Sequence, residues 1–134
     1  IGLILPRLQT IAPFYATAFT AHLAQAILIE RGLKHTSINV LPLGGEVEAG
    51  PFKVRYITLT HSIPEPNALA LETPLGTILH TGDWKIDPSP QLGSETDVDA
   101  LNALGDAGVL AMVCDSTNVF VEGESGSEGV VREN

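Results

Sequence analysis

Three ionisable residues close candidate strands: His61, Asp83 and Asp115. His61 ends the run Phe52–Thr60 and precedes Ser62-Ile63-Pro64-Glu65-Pro66. Asp83 follows Gly82 at the end of a predicted 77–82 strand, and Asp115 ends a third strand before Ser116-Thr117-Asn118. Strand ends that run into loops are where sheets present reactive side chains. A neutral imidazole and a carboxylate at one sheet edge could share a divalent cation. The same residues also have plain structural uses. A histidine can pack, an aspartate can shape a turn, and Asp115 with Ser116 can cap the turn that follows. Spacing alone leaves both readings open.

The remaining candidates are weaker. His22 lies on a predicted helix, off its apolar stripe, and His35 lies in the loop after Gly32. His80 is three residues from Asp83, which in an extended strand points the two to opposite faces. It is expected to pack or to buttress a neighbour rather than to bind metal. Lys85 and Asp87 can pair locally at a turn. Cys114 is expected to sit in a buried strand as a small apolar side chain.

These residues need a frame. Phe14–Thr17 reads as a strand, and Thr17 can cap a helix over about 18–31. Phe19, Leu23, Ala26 and Ile27 fall at helical spacing, and Gly32 is a good stop. Ile38–Leu41 reads as a strand, and Gly44-Gly45 and Gly50-Pro51 bracket a short segment at 46–49. Phe52–Thr60 is rich in β-formers. Ala68–Glu72 and Thr77–His80 form a predicted hairpin turning at Pro74-Leu75-Gly76. Thr96 and Asp99 resemble a capping box opening a helix whose buried stripe is Leu101 and Leu104. Val109–Cys114 reads as a buried strand, and the stretch from Val119 as a loop. Strands with two interleaved helices indicate an α/β or α+β class.

Composition narrows the function. The 134 residues are 44% apolar and 17% charged, enough for one domain with a real core. Seven Lys and Arg face sixteen Asp and Glu, a net charge of −9, which argues against polyanion binding through a basic surface. A single cysteine cannot form an internal disulfide, so a reducing, cytoplasmic setting is expected. No apolar run approaches a membrane span, so no membrane partner is expected.

Four segments, taken together, resemble the ribonuclease J family of the metallo-β-lactamase superfamily, in its β-CASP group. They are Phe14-Tyr15-Ala16-Thr17-Ala18-Phe19-Thr20-Ala21, Thr60-His61-Ser62-Ile63-Pro64-Glu65, His80-Thr81-Gly82-Asp83-Trp84-Lys85-Ile86-Asp87 and Asp115-Ser116-Thr117-Asn118. The resemblance runs in order from about residue 3 to 128, and the 22-residue step from His61 to Asp83 fits it. It implies an αββα sandwich, here only a fragment: a partial metallo-β-lactamase domain over 1–118 and, over 119–134, a loop leading toward a β-CASP insertion. It implies two zinc ions, or manganese in their place, with His61 a ligand of one and Asp83 bridging both. Such ions lower the pKa of a shared water to give hydroxide near neutral pH. The implied substrate is RNA, cut by endonuclease and 5′-to-3′ exonuclease action in a cytoplasmic dimer or tetramer. Asp115 matches the acidic residue that orients a distant histidine, and Ser62 could hydrogen-bond near the scissile phosphate.

The family's main metal motif, H-x-H-x-D-H, does not occur in these residues. The chain alone is therefore expected to be inactive. Two other readings remain. One is a metallo-hydrolase for a small ester or thioester, against which the Asp-Ser-Thr-Asn segment weighs. The other is a non-catalytic scaffold that lost its metals, against which the presence of both His61 and Asp83 weighs.

Overall fold

The computed structural model describes residues 13–33, 36–123 and 126–129. His35 lies outside them. The class is α/β, and the named elements among the described residues are two helices and the strands of two sheets. The chain divides into two compact units between Pro42 and Leu43.

The first unit is a strand–helix–strand motif. Strands β1 (Phe14–Ala16) and β2 (Ile38–Val40) pair in parallel, with Phe14 opposite Ile38. Parallel neighbours need a crossover, and helix α1 (Ala18–Glu30) supplies it. Thr17 stands at the N-cap as expected, but its side chain makes no capping bond. The helix buries Ala21, Ala24 and Leu28, while Leu23 and Ile27 are exposed. The predicted stripe was therefore the wrong one. Apolar residues surround most of this helix, so helical spacing fits more than one face.

The second unit is built on a five-stranded sheet in the order β3-β4-β5-β6-β7. Its strands are β3 (Glu46–Ala49), β4 (Phe52–Thr58), β5 (Asn67–Thr73), β6 (Gly76–His80) and β7 (Ala111–Val113). The first four run antiparallel in turn, with Ile57 opposite Ala68 and Ala70 opposite Leu79; β7 pairs in parallel with β6, Val113 opposite His80. The hairpin at Pro74-Leu75 is where the sequence put it.

Helix α2 (Val98–Ala107) lies on the central strands. Alternation along β4 and beyond sends Ile57 and Leu59 to the same side, beside Ala68 and Ala70 of β5. These four residues and Leu104 of α2 form the buried core, with Leu79, Trp84, Ala100 and Leu101 packed around it. Small alanines on β5 leave room for a leucine from the helix. The helix cap is Asp97, whose carboxylate accepts the Ala100 N–H at 2.9 Å. Thr96 was the expected cap, but its hydroxyl sits 3.2 Å from that of Thr60 instead. The strand expected over Val109–Cys114 is only Ala111–Val113, and it is exposed throughout. It ends the sheet order, and hydrophobicity by itself cannot tell a covered strand from an uncovered edge. Among the described residues no helix is long and apolar enough to cross a membrane.

Candidate functional site

The register of the sheet fixes where the candidates stand. Because β4 and β6 both run antiparallel to β5, and β7 runs parallel to β6, the C-terminal ends of β4, β6 and β7 share one edge. His61 follows β4, Asp83 follows β6 and Asp115 follows β7.

Two buried threonines stitch these ends together. Thr60 is 1% exposed and bridges to Lys85. Its hydroxyl donates to the Lys85 carbonyl at 2.5 Å and accepts the Asp87 N–H at 3.0 Å. A hydroxyl has one proton, so Thr96, 3.2 Å away, must be the donor of that pair. Thr81 does the same one strand over. Its hydroxyl donates to the Gly82 carbonyl at 2.8 Å and accepts the Asp115 N–H at 3.2 Å, while its own N–H reaches the Val113 carbonyl at 3.0 Å. Neither threonine was singled out from the sequence for a role. Their only signal was position, one residue before His61 and two before Asp83.

Each candidate then takes its setting from these ties. His61 is half-buried and Ser62 exposed. Asp83 is exposed, and its side chain has no hydrogen bond or ion pair among the described residues. It follows Gly82, whose φ of +61° is a conformation that disfavours a side chain. His80 is exposed rather than packed, yet it does buttress the turn: its Nδ1 accepts the Gly82 N–H at 3.1 Å. The packing expectation failed because β6 ends at His80 and nothing among the described residues covers it.

Asp115 does what turn aspartates do. Its Oδ1 accepts both the N–H of Thr117 at 3.0 Å and the Thr117 hydroxyl. The Thr117 hydroxyl and N–H hold its carboxyl below the usual carboxylate range, against a partial burial that raises it. The nearby His61 imidazole adds to the lowering. Cys114 lies just past β7, half-buried, with Sγ donating to the Asp115 carbonyl at 3.1 Å. It is not inside a buried strand, because β7 stops earlier and is not covered.

Beside this edge an open cleft of about 390 Å³ is lined by Trp84, Lys85, Ile86 and residues 115–119. Among the described residues no three His, Cys, Asp or Glu side chains gather into a group that could hold a metal.

Curated relatives align with this chain over almost its whole length. A ribonuclease J of Sinorhizobium meliloti is 47% identical over 122 residues, which cover 90% of this chain and 22% of that protein. A ribonuclease J of Corynebacterium glutamicum is 42% identical, covering 93% of this chain and 17% of its own length. One of Helicobacter pylori is 36% identical, covering 89% and 18%. The chain thus spans about a fifth of the length of the curated relatives it matches. No family model matches it. In three dimensions it is similar to a protein of unknown function from Enterococcus faecalis, with a TM-score of 0.60 at 13% identity, over 87% of this chain and 28% of that one. That likeness concerns the fold alone. With identity of this order along nine-tenths of its length, the chain is similar throughout to a segment of ribonuclease J proteins.

Proposed function

We propose that this chain is part of a zinc-dependent ribonuclease of the β-CASP group, with a metallo-β-lactamase-like αββα domain. It would hydrolyse RNA phosphodiester bonds as an endonuclease and a 5′-to-3′ exonuclease. The observation that carries the reading is the 42–47% identity with ribonuclease J relatives over about nine-tenths of the chain, a span long enough to include both the Thr60–Glu65 and His80–Asp87 regions. The shared sheet edge supports it, because His61, Asp83 and Asp115 each follow a strand that ends there. RNA is the substrate, the cytoplasm the setting and a homo-oligomer the assembly of this proposal. A net charge of −9 means that RNA would be held by local groups rather than by a broad basic surface.

His61 and Asp83 are the proposed metal donors, and Asp115 the acidic group beside them. An imidazole nitrogen and a carboxylate oxygen are suitable donors for zinc, and manganese would accept the carboxylate equally well. Yet a catalytic zinc takes three protein ligands, and no three donors gather among the described residues. The residues described here therefore do not fit a complete zinc site. No hydrolytic step can be assigned to a metal held by them alone, and the 134-residue chain by itself is expected to be inactive.

The test is a chimera. The matching segment of the Sinorhizobium meliloti ribonuclease J is replaced by the corresponding residues of this chain and given 5′-monophosphorylated RNA with zinc or manganese. Cleavage that disappears in His61→Ala, in Asp83→Ala and with a chelator supports both the activity and the two donors. A folded chimera that binds metal and leaves RNA intact overturns the nuclease reading in favour of a small-substrate hydrolase. A folded chimera that binds no metal points to a scaffold.

A further inference from the structure

Asp87 is 2% exposed, yet it is a carboxylate. Burying a charge is unfavourable unless partners replace its water, and Asp87 has an unusual number of them. Its Oδ1 accepts the Ser89 N–H at 2.9 Å and the Ser127 hydroxyl at 2.7 Å. Its Oδ2 accepts the Glu128 N–H at 2.9 Å and faces Lys85 Nζ at 3.2 Å. Lys85 pairs in turn with Glu128 at 3.0 Å, and the Glu128 carboxylate accepts the Gln91 N–H at 3.3 Å. On the main-chain side, the Asp87 N–H ends on the hydroxyl of Thr60, the residue before His61.

A turn aspartate requires only a bond of the Ser89 kind. The bonds from Ser127 and Glu128 reach about forty residues along the chain. They join the loop that carries Asp83, the strand end that carries His61 and the short segment 126–129. The Glu128 N–H and the Ser127 hydroxyl are the strongest influences holding this carboxyl well below its ordinary range. The charged form is the one that the surroundings are built for.

We propose that Asp87 is a positioning residue: it clamps residues 126–129 onto the loop after β6 and, through Thr60, sets the placement of His61. Its consequence for catalysis rests on the ribonuclease reading; the clamp itself does not. Segment 126–129 then acts as part of the site's frame, although the sequence marked it only as a loop.

The 134-residue chain is compared with Asp87→Asn and Ser127→Ala by amide hydrogen exchange and by the imidazole NMR signals of His61. In Asp87→Asn the Glu128 amide should exchange at least about tenfold faster, the worth of one hydrogen bond to a charged group. The His61 signals should move, while the amides of β3–β5 keep their protection. Ser127→Ala keeps the carboxylate and should give a smaller change of the same kind. It also keeps the question answerable if Asp87→Asn does not fold. Unchanged exchange at Glu128 overturns the clamp, and faster exchange with His61 unmoved overturns the positioning role. In the chimera, Asp87→Asn should lower kcat with KM unchanged. A wild-type chimera that leaves RNA intact would count against the ribonuclease reading, while exchange and His61 signals still decide on Asp87.

Discussion

The N–H of Asp115 ends on the hydroxyl of Thr81, 3.2 Å away, and that same hydroxyl donates to the carbonyl of Gly82. One side chain thus holds the turn before Asp83 and the strand end at Asp115 in a fixed relation. Replacing Thr81 with valine keeps its shape and removes both bonds. Thr81 is 3% exposed, so the Asp115 N–H would be left without its partner, a loss of about 1–3 kcal/mol. Serine should restore most of it. Urea unfolding followed by the fluorescence of Trp84, the only tryptophan, reads the difference.

Two glycines should respond in opposite directions. Gly93 has a φ of +78°, and a Cβ built there would lie 2.1 Å from the carbonyl oxygen of Pro64, in the loop after His61. Backbone strain and a clash with main chain together make Gly93→Ala destabilising by about 2 kcal/mol or more. Gly105 lies inside α2 with ordinary φ and open space around it. Gly105→Ala should stabilise the chain by about 0.5–1 kcal/mol. Both are read from urea midpoints, and equal effects of the two would contradict this account.

What the sequence revealed and what it hid have physical causes. The hairpin from β5 to β6 was legible because Pro74-Leu75-Gly76 marks a turn, after which Thr77 and Ile78 supply β-branched residues. The alignment of His61, Asp83 and Asp115 at strand ends was legible because each follows an apolar run. The buried face of α1 was not, since Leu23 and Ile27 are as apolar as Leu28 and only packing chooses among them. The exposure of Met112 and Val113 was hidden for the same reason: hydropathy does not show which strand lies at an edge. The bonds of Asp87 to Ser127 and Glu128 were hidden because they cross a separation that local patterns do not encode.

Acid should weaken the second unit through Asp87 and Asp115. Both carboxyls titrate below their ordinary value of 3.8 when folded, held down chiefly by the Glu128 N–H and by the Thr117 hydroxyl respectively. A folded value below the unfolded one means that the folded state binds fewer protons in acid. The stabilisation is fully present above the unfolded value and is lost as pH falls from there through the folded values. Unfolding free energy measured downward from neutral pH should therefore stay level and then drop below about pH 4. In Asp87→Asn the drop should be shallower, because one of the depressed carboxyls no longer titrates. An equally steep drop would show that other carboxylates carry the acid response.

Leu104 tests the core from the helix side. It is 3% exposed and touches the cluster of Ile57, Leu59, Ala68 and Ala70. Leu104→Ala leaves a cavity that β-sheet backbone cannot collapse to fill, with a loss of about 2–5 kcal/mol. Leu75 offers the contrast, since it is 87% exposed at the hairpin turn, and Leu75→Ser should change stability by less than about 0.5 kcal/mol.

Zinc separates what this chain holds from what the proposed enzyme needs. With His61 and Asp83 as the only proposed donors, binding to the 134-residue chain should be weak. A ligand present below its dissociation constant adds less than about 0.4 kcal/mol of stability. The melting temperature should therefore barely respond to micromolar zinc, and His61→Ala should make no difference to that. In the chimera with the Sinorhizobium meliloti protein, the same zinc should raise the melting temperature, and His61→Ala should reduce the rise. A strong zinc-dependent shift in the 134-residue chain that survives His61→Ala and Asp83→Ala would place the metal elsewhere and remove both residues from the donor set.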